Sequence, residues 1–407
     1  MKIAFISHEY PPDTAQGGIA TYVYQVTRLL QSRGHQVEVF SCSPYRQGTF
    51  NEDGILCHRI TDVTMTEFGL KIGPIFAARH RDVKFDVIEG SEIEAPARGA
   101  VNLVPDIPLV VKLHTPSFLT AKLNRQQLYP GTKVRHTLNL LRQGLNPLDF
   151  WVYNLEHDIE RCHALEADEI VILTRSILEQ VVKPWQLDVT KVSYIPNPYV
   201  PAQKLLDIPA ETDTNVITFL GRLEARKGVL DVARAIPLIL QNHPAAKFRF
   251  VGKSRIAPNL KVPMKEHLEE ILKKYLDAVE FVDGVSLEEI PEILADTDIC
   301  VFPSIWENFP NVCLEAMAAA RGIVGSQAGG MNEMLNYGLV GALIPPRDPP
   351  SLAKATTHLL KHPTQRIKMG LAARNRLREE YNADNIGKEI ESSYLRAIQR
   401  RQQAGGR

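Results

Sequence analysis

Short apolar runs alternate with longer amphipathic stretches along the chain, and the first forty residues show this pattern clearly. KIAFIS is a short apolar run, and HEYPPDTAQ is a loop rich in turn-forming residues. In GGIATYVYQVTRLLQSR the apolar positions recur at helical spacing as far as Gly34, and QVEVFS then alternates apolar and polar positions as a strand does. This order predicts a β-α-β unit and therefore a parallel sheet.

The same pattern begins again near Asn215. NVITFLG predicts a strand, RLEARKG a loop, VLDVARAIPLILQN a helix that ends near Pro244, and KFRFVG a second strand. Between the two series, the proline-rich residues 197–214 carry few signals of regular structure and predict a linker. We therefore predict an α/β protein with two Rossmann-like, doubly wound domains at residues 1–200 and 201–384.

Composition and charge narrow the function classes. The chain has 407 residues, of which 44% are hydrophobic, enough for two cores of ordinary size. Its 47 basic residues balance 47 acidic ones, so no global field favours binding to nucleic acid. The five cysteines are scattered and form no C-x-x-C pair, which favours buried thiols and a cytoplasmic location. The apolar stretch in MKIAFISHEYPP is too short for the core of a signal peptide.

Candidate binding residues follow several predicted strands. In open α/β sheets, ligands bind beyond the carboxyl ends of the strands, where loops lead into the positive N-terminal ends of helices. Glycines that begin a helix, a core histidine and solvated loop cations would give the same residues, so a structural role stays open for each. The candidates are Gly17 and Gly18 after the first strand, His114 after PLVVKL, Arg222 to Lys227 after NVITFLG, and Glu307 after DICVFPS.

The stretch ENFPNVCLEAMAAA places Glu307 and Glu315 eight positions apart. In one continuous helix the two residues would lie roughly 12 Å apart along the axis. Proline is tolerated in the first helical turn, so we predict that the helix begins near Pro310 and that Glu307 stays in the preceding loop. Carboxylates so placed can bind hydroxyl groups on two parts of an elongated ligand. An acid near a helix N-terminus followed by a solvated helix acid would give the same spacing.

This stretch resembles the E-x(7)-E signature of the retaining glycosyltransferases of family 4, which have the GT-B fold. The matching residues are Pro303, Ser304, Glu307, Phe309, Leu314, Glu315, Ala316, Met317 and Ala318. Other stretches occur in the order typical of the family, and they are GGIATYV, VVKLHT, YIPNP, GRLEARKG, FVGKS, FVDGVS and AGGMNEML. The resemblance implies two Rossmann-like domains that face a central cleft, with an acceptor-binding domain at residues 1–200 and a donor-binding domain at residues 201–384. It also implies that a C-terminal helix at about residues 385–402 packs back on the first domain.

The resemblance assigns roles to individual residues. Arg222 and Lys227 would neutralise the diphosphate of a nucleotide sugar, with Arg226 as a third candidate. His114 would contact the donor sugar near the reacting carbon, Glu307 would bind sugar hydroxyls and Glu315 ribose hydroxyls. The remaining donor-binding residues implied by the resemblance are Gly17, Gly18, Asn197, Phe309, Pro310, Asn311, Gly330 and Glu333. Glu333 could equally be an acid that complements a helix N-terminus.

A competing signal for a metal is Asp296-Thr297-Asp298, because Asp-x-Asp holds Mg²⁺ or Mn²⁺ in another class of glycosyltransferase. Here it precedes the predicted strand ICVFPS, at the end remote from the expected ligand edge. We therefore interpret it as a helix-to-strand turn and expect no metal and no cofactor, since the nucleotide sugar is a substrate.

Two positions depart from the family pattern. Ala320-Arg321-Gly322 stands where the family has glycine, any residue and proline, and Gly322 could end the helix in place of that glycine. Pro198 follows Asn197 where glycine is common. Neither change removes a charged or hydroxyl-binding group from the predicted site.

Residues 116–148 contain no acid but five basic residues, which are Lys122, Arg125, Lys133, Arg135 and Arg142. This run favours an anionic acceptor or a peripheral contact with a membrane surface. A solvated basic helix or loop explains the same composition, and the alternatives stay open.

Taken together, the residues and the resemblance predict a retaining, metal-independent transferase of hexosyl groups. Its donor would be a UDP- or GDP-linked sugar and its acceptor a hydroxyl of a glycan, a lipid or a small molecule. A nucleotide-sugar epimerase on the same fold and a non-catalytic sugar-nucleotide- or glycan-binding protein are the alternatives. A dehydrogenase is disfavoured because no G-x-G-x-x-G follows the first strand.

Overall fold

The computed structural model describes residues 1–14 and 17–405, so Ala15 and Gln16 of the predicted first loop lie outside the described residues. The chain divides into two compact units. Unit 1 consists of Met1–Leu119, Tyr153–Val200 and Tyr381–Arg407, and unit 2 of Thr120–Val152 and Pro201–Glu380. The two units meet in sequence at Val200 and Pro201, and residues 120–152, which lie inside the predicted first domain, group with unit 2.

Fourteen strands form within the described ranges. In chain order they are β1 (Lys2–Ile6), β2 (Gln36–Cys42), β3 (Gly48–Glu52), β4 (Ile55–Ile60), β5 (Val87–Ser91), β6 (Leu109–Leu113), β7 (Glu169–Ile172), β8 (Val192–Tyr194), β9 (Val216–Leu220), β10 (Lys247–Val251), β11 (Val279–Val282), β12 (Ile299–Phe302), β13 (Gly322–Ser326) and β14 (Ala342–Ile344).

The α-helices of the described residues are, in chain order, α1 (Gly18–Ser32), α2 (Met65–Val83), α3 (Arg98–Leu103), α4 (Ser117–Arg125), α5 (Pro130–Arg142), α6 (Pro147–Trp151), α7 (Ile159–Glu166), α8 (Lys183–Trp185), α9 (Gln203–Leu206), α10 (Val229–Asn242), α11 (Met264–Ile271), α12 (Ile290–Ala295), α13 (Asn311–Ala318), α14 (Met331–Met334), α15 (Pro349–Lys361), α16 (Pro363–Glu380) and α17 (Ala383–Gly405). Short 3₁₀ turns form at Val189–Lys191, Ala225–Lys227, Leu276–Ala278 and Asn336–Gly338, and Leu178–Val182 is one turn of π-helix.

Unit 1 is built on an eight-stranded sheet in the order β3-β4-β2-β1-β5-β6-β7-β8. Every neighbouring pair is parallel except β3 and β4, which form an antiparallel edge hairpin. The predicted β-α-β unit is confirmed, because β1 pairs in parallel with β2 and α1 connects them. The chain order turns around between β1 and β5, so the loops at the carboxyl ends of these two strands lie at a topological switch point.

Unit 2 is built on a six-stranded, all-parallel sheet in the order β11-β10-β9-β12-β13-β14. Here the order turns around between β9 and β12. Helix α10 packs over the sheet through Val232, Ile236 and Ile239, which are buried against strand residues such as Phe219 and Phe250. Each such fully buried side chain stabilises the unit by about 1.5–3 kcal/mol. The fold is thus the predicted α/β architecture with two Rossmann-like domains.

Gly322 does not end the helix of the E-x(7)-E stretch. Helix α13 ends at Ala318, and Ala320 takes the left-handed conformation, with φ +53°. Gly322 is instead the first residue of β13, where a Cβ atom would lie 2.7 Å from the Cγ atom of Arg366. Gly322 is therefore required by side-chain packing and not by the turn.

Residues 120–152 run from the second half of α4 through α5 and α6 and contact the body of unit 2. Asn259 fastens this segment, because its Oδ1 accepts a hydrogen bond from the backbone N–H of Tyr129 at 2.9 Å and its Nδ2 donates to the carbonyl of Gln127 at 3.0 Å. Across residues 1–14 and 17–405, no helix is long and apolar enough to cross a bilayer.

Candidate active site

The loop after β9, residues 221–228, is shaped by its two terminal glycines. Gly221 and Gly228 have φ values of +140° and +78°, which favour glycine. A Cβ atom on Gly228 would lie 2.1 Å from the carbonyl oxygen of Pro303, so only glycine lets this loop approach the end of β12. The backbone N–H of Ile305 also donates to the carbonyl of Arg226 at 2.9 Å. The loops that follow the two central strands therefore lie against each other.

Three cations of this loop have different surroundings. Lys227 Nζ lies 2.6 Å from Glu307 Oε1, and Arg226 Nη1 lies 2.8 Å from the same oxygen. Arg226 also contacts Glu224 at 2.9 Å, and its side chain is 12% exposed. The side chain of Arg222 is 46% exposed, and the ion pair it forms within the described part of the chain is with Glu224, at 3.4 Å. The structure thus places Arg226 and Lys227 on Glu307, whereas Arg222 is the more accessible cation.

Glu307 lies in the loop after β12 with its side chain 12% exposed. Burial alone would raise the pKa of its carboxyl, but Lys227 and Arg226 outweigh burial and hold the pKa below its ordinary value. The pKa of Arg226 is shifted by two neighbouring acids, Glu307 and Glu224. Burial would lower the pKa of that guanidinium, but Glu307 and Glu224 raise it. Glu307 is therefore an ionised carboxylate that forms ion pairs with two cations, Arg226 and Lys227.

The predicted division of the E-x(7)-E stretch is confirmed. Pro310 caps helix α13 with an extended backbone, Asn311 is the first helical residue, and Glu307 lies in the preceding loop. Phe309 is buried beside them. The fixed φ of proline suits the start of a helix, so this boundary follows from local chemistry.

Glu315 lies inside α13 and its carboxylate makes no hydrogen bond or ion pair within the described part of the chain. The residue is 8% exposed. Burial raises the pKa of its carboxyl to about 7. A nearly buried carboxyl without a partner is costly to charge, and a hydroxyl donor from a ligand would satisfy it.

The loop after β13 completes the arrangement through backbone contacts. The N–H of Gly330 donates to the carbonyl of Glu307 at 2.8 Å. Gly329 has φ +70°, and a Cβ atom on it would lie 2.0 Å from the same carbonyl oxygen. Glu333 lies in the first turn of α14, a helix of only four residues. Gly330 was the predicted site residue, whereas the close approach to the Glu307 carbonyl requires glycine at its neighbour, Gly329.

In unit 1, His114 directly follows β6 and is buried. Burial, together with the nearby Lys112 ammonium, lowers the pKa of its imidazole to about 3, so the ring is neutral at pH 7. Its backbone N–H donates to Glu92 Oε1 at 2.8 Å. The ring packs edge-on against Tyr22, with 5.5 Å between the ring centroids.

Tyr22 belongs to a buried polar cluster that sequence reasoning missed. Its hydroxyl donates to Glu89 Oε1 at 2.7 Å, and the hydroxyl of Tyr394 in α17 donates to Glu89 Oε2 at 2.6 Å. The ammonium of Lys112 lies 4.2 Å from the centroid of the Tyr22 ring. Burial raises the pKa of Glu89 and lowers that of Lys112 to about 7. The position of Tyr22 beside His114 thus depends on a carboxyl that the C-terminal helix also binds.

The other predicted residues of unit 1 are Gly17, Gly18 and Asn197. Gly17 caps α1 with an extended backbone, and a Cβ atom on Gly18 would meet no atom within 4 Å, so packing requires neither glycine. Asn197 is 4% exposed and its Oδ1 has no hydrogen-bond partner within the described ranges. Four of the thirteen predicted site residues therefore belong to unit 1 and nine to unit 2.

The Asp-x-Asp stretch forms a turn between a helix and a strand, as predicted. Residues 296–298 lie between the end of α12 and the start of β12. Asp298 is buried, binds Arg366 at 3.1 Å and accepts a hydrogen bond from the backbone N–H of Asn215. Asp296 binds Arg249 at 2.9 Å. No cluster of three or more potential metal ligands occurs among the residues that the structure describes.

Two protein-family models match the chain in succession. The glycosyl transferase 4-like domain matches residues 17–198, and the glycosyl transferases group 1 model matches residues 214–362. The first covers most of unit 1 and the second most of unit 2 outside residues 120–152. The first match contains the four candidate site residues of unit 1, and the second contains the nine of unit 2.

Whole-chain relatives and solved structures agree with these matches. An uncharacterised glycosyltransferase of Methanocaldococcus jannaschii is 25% identical over 98% of this chain and 99% of its own. The glycogen synthase of Mycobacterium tuberculosis is 24% identical over 98% of this chain and 95% of its own.

Among solved structures, sucrose-phosphate synthase from Thermosynechococcus elongatus superposes with a TM-score of 0.73 at 19% identity, covering 97% of this chain and 98% of that one. The Anabaena protein HepE in complex with UDP and glucose superposes with a TM-score of 0.68 at 16% identity, covering 97% of this chain and 99% of that one. The chain therefore belongs to the group 1, family 4 glycosyltransferases and has the GT-B fold.

Proposed function

We propose that the protein transfers a hexosyl group, with retention of anomeric configuration and without a metal, from a UDP- or GDP-linked donor to a hydroxyl group of a glycan, a lipid or a small molecule. Relatives that share its family include a glycogen synthase, and solved proteins with its fold hold UDP or UDP-glucose. Retention rests on the resemblance of the E-x(7)-E stretch to the retaining enzymes.

The observation that carries the proposal is the group formed by Lys227, Arg226 and Glu307 where the loops after β9 and β12 meet. Without a ligand, Glu307 pairs with both cations, and Glu224 also pairs with Arg226. A diphosphate brings more negative charge than the Glu307 carboxylate, and it would recruit Lys227 together with the accessible Arg222. The uncapped N-terminus of α10, which begins at Val229, adds its positive dipole end to the same loop.

These charges would act on the leaving group. In the proposed step, the bond between the anomeric carbon and the donor phosphate oxygen breaks while the acceptor oxygen bonds to that carbon from the same face. The acceptor proton passes to the departing diphosphate, whose charge Arg222 and Lys227 stabilise. Fixed cations in a site of low dielectric constant can lower such a barrier by several kcal/mol.

The two glutamates would bind different parts of the donor. Glu307 is ionised and held in place by two cations, so it can accept hydrogen bonds from sugar hydroxyls. Glu315 lacks a partner in the described part of the chain and would accept hydrogen bonds from the ribose. In unit 1, neutral His114 would contact the donor sugar as a hydrogen-bonding group without a charge.

An anionic or lipid-linked acceptor is consistent with the acid-free residues 116–148. Several of their basic side chains are exposed.

The first experiment is a thermal-shift panel of UDP, GDP, ADP and their common sugars with a chelator present. One nucleotide should raise the melting temperature of the wild type but not that of Glu315→Ala. With that donor and an acceptor, Lys227→Ala should lower turnover by roughly 10²–10³-fold, the loss expected for one group that stabilises transition-state charge. The control Lys204→Ala changes an exposed lysine of the same unit and should retain full turnover.

Three outcomes would contradict the proposal. They are turnover of Lys227→Ala near the wild-type rate, activity that appears only with added divalent metal, and inversion of the anomeric configuration in the NMR spectrum of the product.

A further inference from the structure

Residues 129–152 carry an unusual density of exposed apolar side chains. Helix α5 contains no buried residue. We call Val134, Leu138 and Leu141 the leucine face, with exposed fractions of 61%, 49% and 55%, and the nearby Leu145 and Leu148 are 52% and 63% exposed. Isolated exposed leucines are normal, but a contiguous apolar surface on a soluble unit indicates a binding partner.

The helical spacing puts the three members of the leucine face on one stripe. Val134, Leu138 and Leu141 are separated by four and three positions, and at about 100° per residue they fall within a sector of about 60°. Within the described residues these three side chains are 61%, 49% and 55% exposed, so the stripe faces solvent.

The opposite side of α5 is already packed. The ring of His136 lies 4.2 Å from that of Phe150, centroid to centroid. Thr137, which lies about 40° from Leu141 on the helical wheel, accepts a hydrogen bond from the indole N–H of Trp151 at 2.9 Å, so α6 also borders the stripe on the side of Lys133. Because α6 covers the opposite side, the leucine face is a separate outward surface and not an unfinished part of the core.

Basic residues border the leucine face. On the helical wheel of α5, Arg135 and Arg142 lie on one side of the stripe and Lys133 on the other, and all three are exposed. Residues 116–148 contain no acid, and within residues 129–152 the one acid is Asp149. An apolar stripe bordered by cations is complementary to an anionic lipid surface, where apolar side chains enter the acyl boundary and cations meet phosphates.

We propose that the leucine face docks on the surface of a bilayer that contains anionic phospholipids, with α5 lying parallel to the membrane. A second copy of the chain is the less favourable occupant, because a symmetric contact would bring the same cations together. Docking itself does not depend on the transfer reaction. Its use in presenting a lipid-linked acceptor to the enzyme rests on the proposed function.

The test is sedimentation of the full chain with phosphatidylcholine vesicles, with and without phosphatidylglycerol. The wild type should sediment with the anionic vesicles, and high salt should weaken the binding. Leu138→Glu/Leu141→Glu should weaken it by at least about tenfold, because full burial of even one leucine is worth roughly that much. Arg135→Gln/Arg142→Gln should weaken it by about 25-fold, at about fivefold for each charge near the surface.

The matched control is Leu276→Glu/Leu371→Glu, which changes two exposed leucines of unit 2 outside the leucine face. It should bind vesicles as the wild type does. Melting temperatures verify that each variant is folded, and the two double variants on α5 give independent readings of the same surface.

Several results would overturn the proposal. Absence of wild-type sedimentation with anionic vesicles would do so, and so would unchanged binding of Leu138→Glu/Leu141→Glu. A wild-type dimer that this variant converts to a monomer would assign the surface to a second copy. Nucleotide-induced thermal shifts of the wild type are read separately, so failure of docking and failure of the proposed function are distinguishable.

Discussion

The buried carboxyl of Glu315 gives a prediction with a definite sign. Its pKa is about 7 in the folded protein, against an ordinary value of 4.5 for the unfolded chain. Between these values the unfolded state has lost the proton while the folded state keeps it, so the stability of unit 2 falls as the pH rises through this window. At about 1.4 kcal/mol per pKa unit, the full loss above pH 7 is about 3 kcal/mol.

Glu315→Gln removes this loss, because the amide never has to be charged. At pH 8 the variant should therefore be more stable than the wild type by up to about 3 kcal/mol, which raises the melting temperature of a domain of this size by roughly 6–12 °C. At pH 4.5 the difference should shrink to less than about 0.5 kcal/mol, because the folded wild type is then protonated.

The assay is thermal unfolding of the ligand-free protein from pH 4.5 to 8.5. Glu379→Gln is the matched control, since Glu379 is exposed and forms no ion pair within the described ranges. Its melting temperature should follow that of the wild type across the series. A stability difference for Glu315→Gln that does not change with pH, or that grows as the pH falls, would refute the reasoning.

Two further predictions concern stability. Gly329→Ala should displace the loop at residues 327–330 and break the hydrogen bond from Gly330 to Glu307, and the left-handed backbone alone should cost at least about 1–2 kcal/mol of stability. The control in thermal unfolding is Gly131→Ala, whose Cβ atom would meet nothing within 4 Å. Equal melting temperatures for the two variants would contradict the predicted clash. Tyr394→Phe should destabilise the protein by about 1–3 kcal/mol because it removes a donor from the buried carboxyl of Glu89. Tyr337→Phe, at a tyrosine that is 65% exposed, should be neutral, and the prediction fails if both variants melt together.

The boundaries of the secondary structure were largely readable from the sequence. The pattern of apolar positions in KIAFIS, GGIATYV and QVEVFS predicted β1, α1 and β2, and the proline in ENFPNV predicted that Glu307 precedes α13. These features depend on side-chain periodicity and on the fixed φ of proline, both of which are local. Ala320 shows the limit of such reasoning, since it takes the left-handed turn that glycine chemistry assigned to Gly322.

The candidate site was only partly readable in the same way. The sequence places Arg222, Arg226 and Lys227 on one loop, but which cation reaches Glu307 depends on how the loops after β9 and β12 cross. The close approach of Gly329 to the Glu307 carbonyl has the same origin. Neither contact leaves a signal in local sequence, because the partners are separated along the chain and meet only through strand order.

A contact between residues still farther apart in sequence is the hydrogen bond from Tyr394 to Glu89, which spans 305 positions of the chain. The amphipathic pattern of α17 predicts a helix, but the residue that its tyrosine meets is fixed by the packing of unit 1. The grouping of residues 120–152 with unit 2 is likewise a tertiary result, and our domain boundaries missed it. Local sequence was enough to predict the α/β elements, the loop-to-helix division of the E-x(7)-E stretch and the set of charged groups. Tertiary structure decided which of those groups are paired and buried, because pairing and burial depend on non-local contacts.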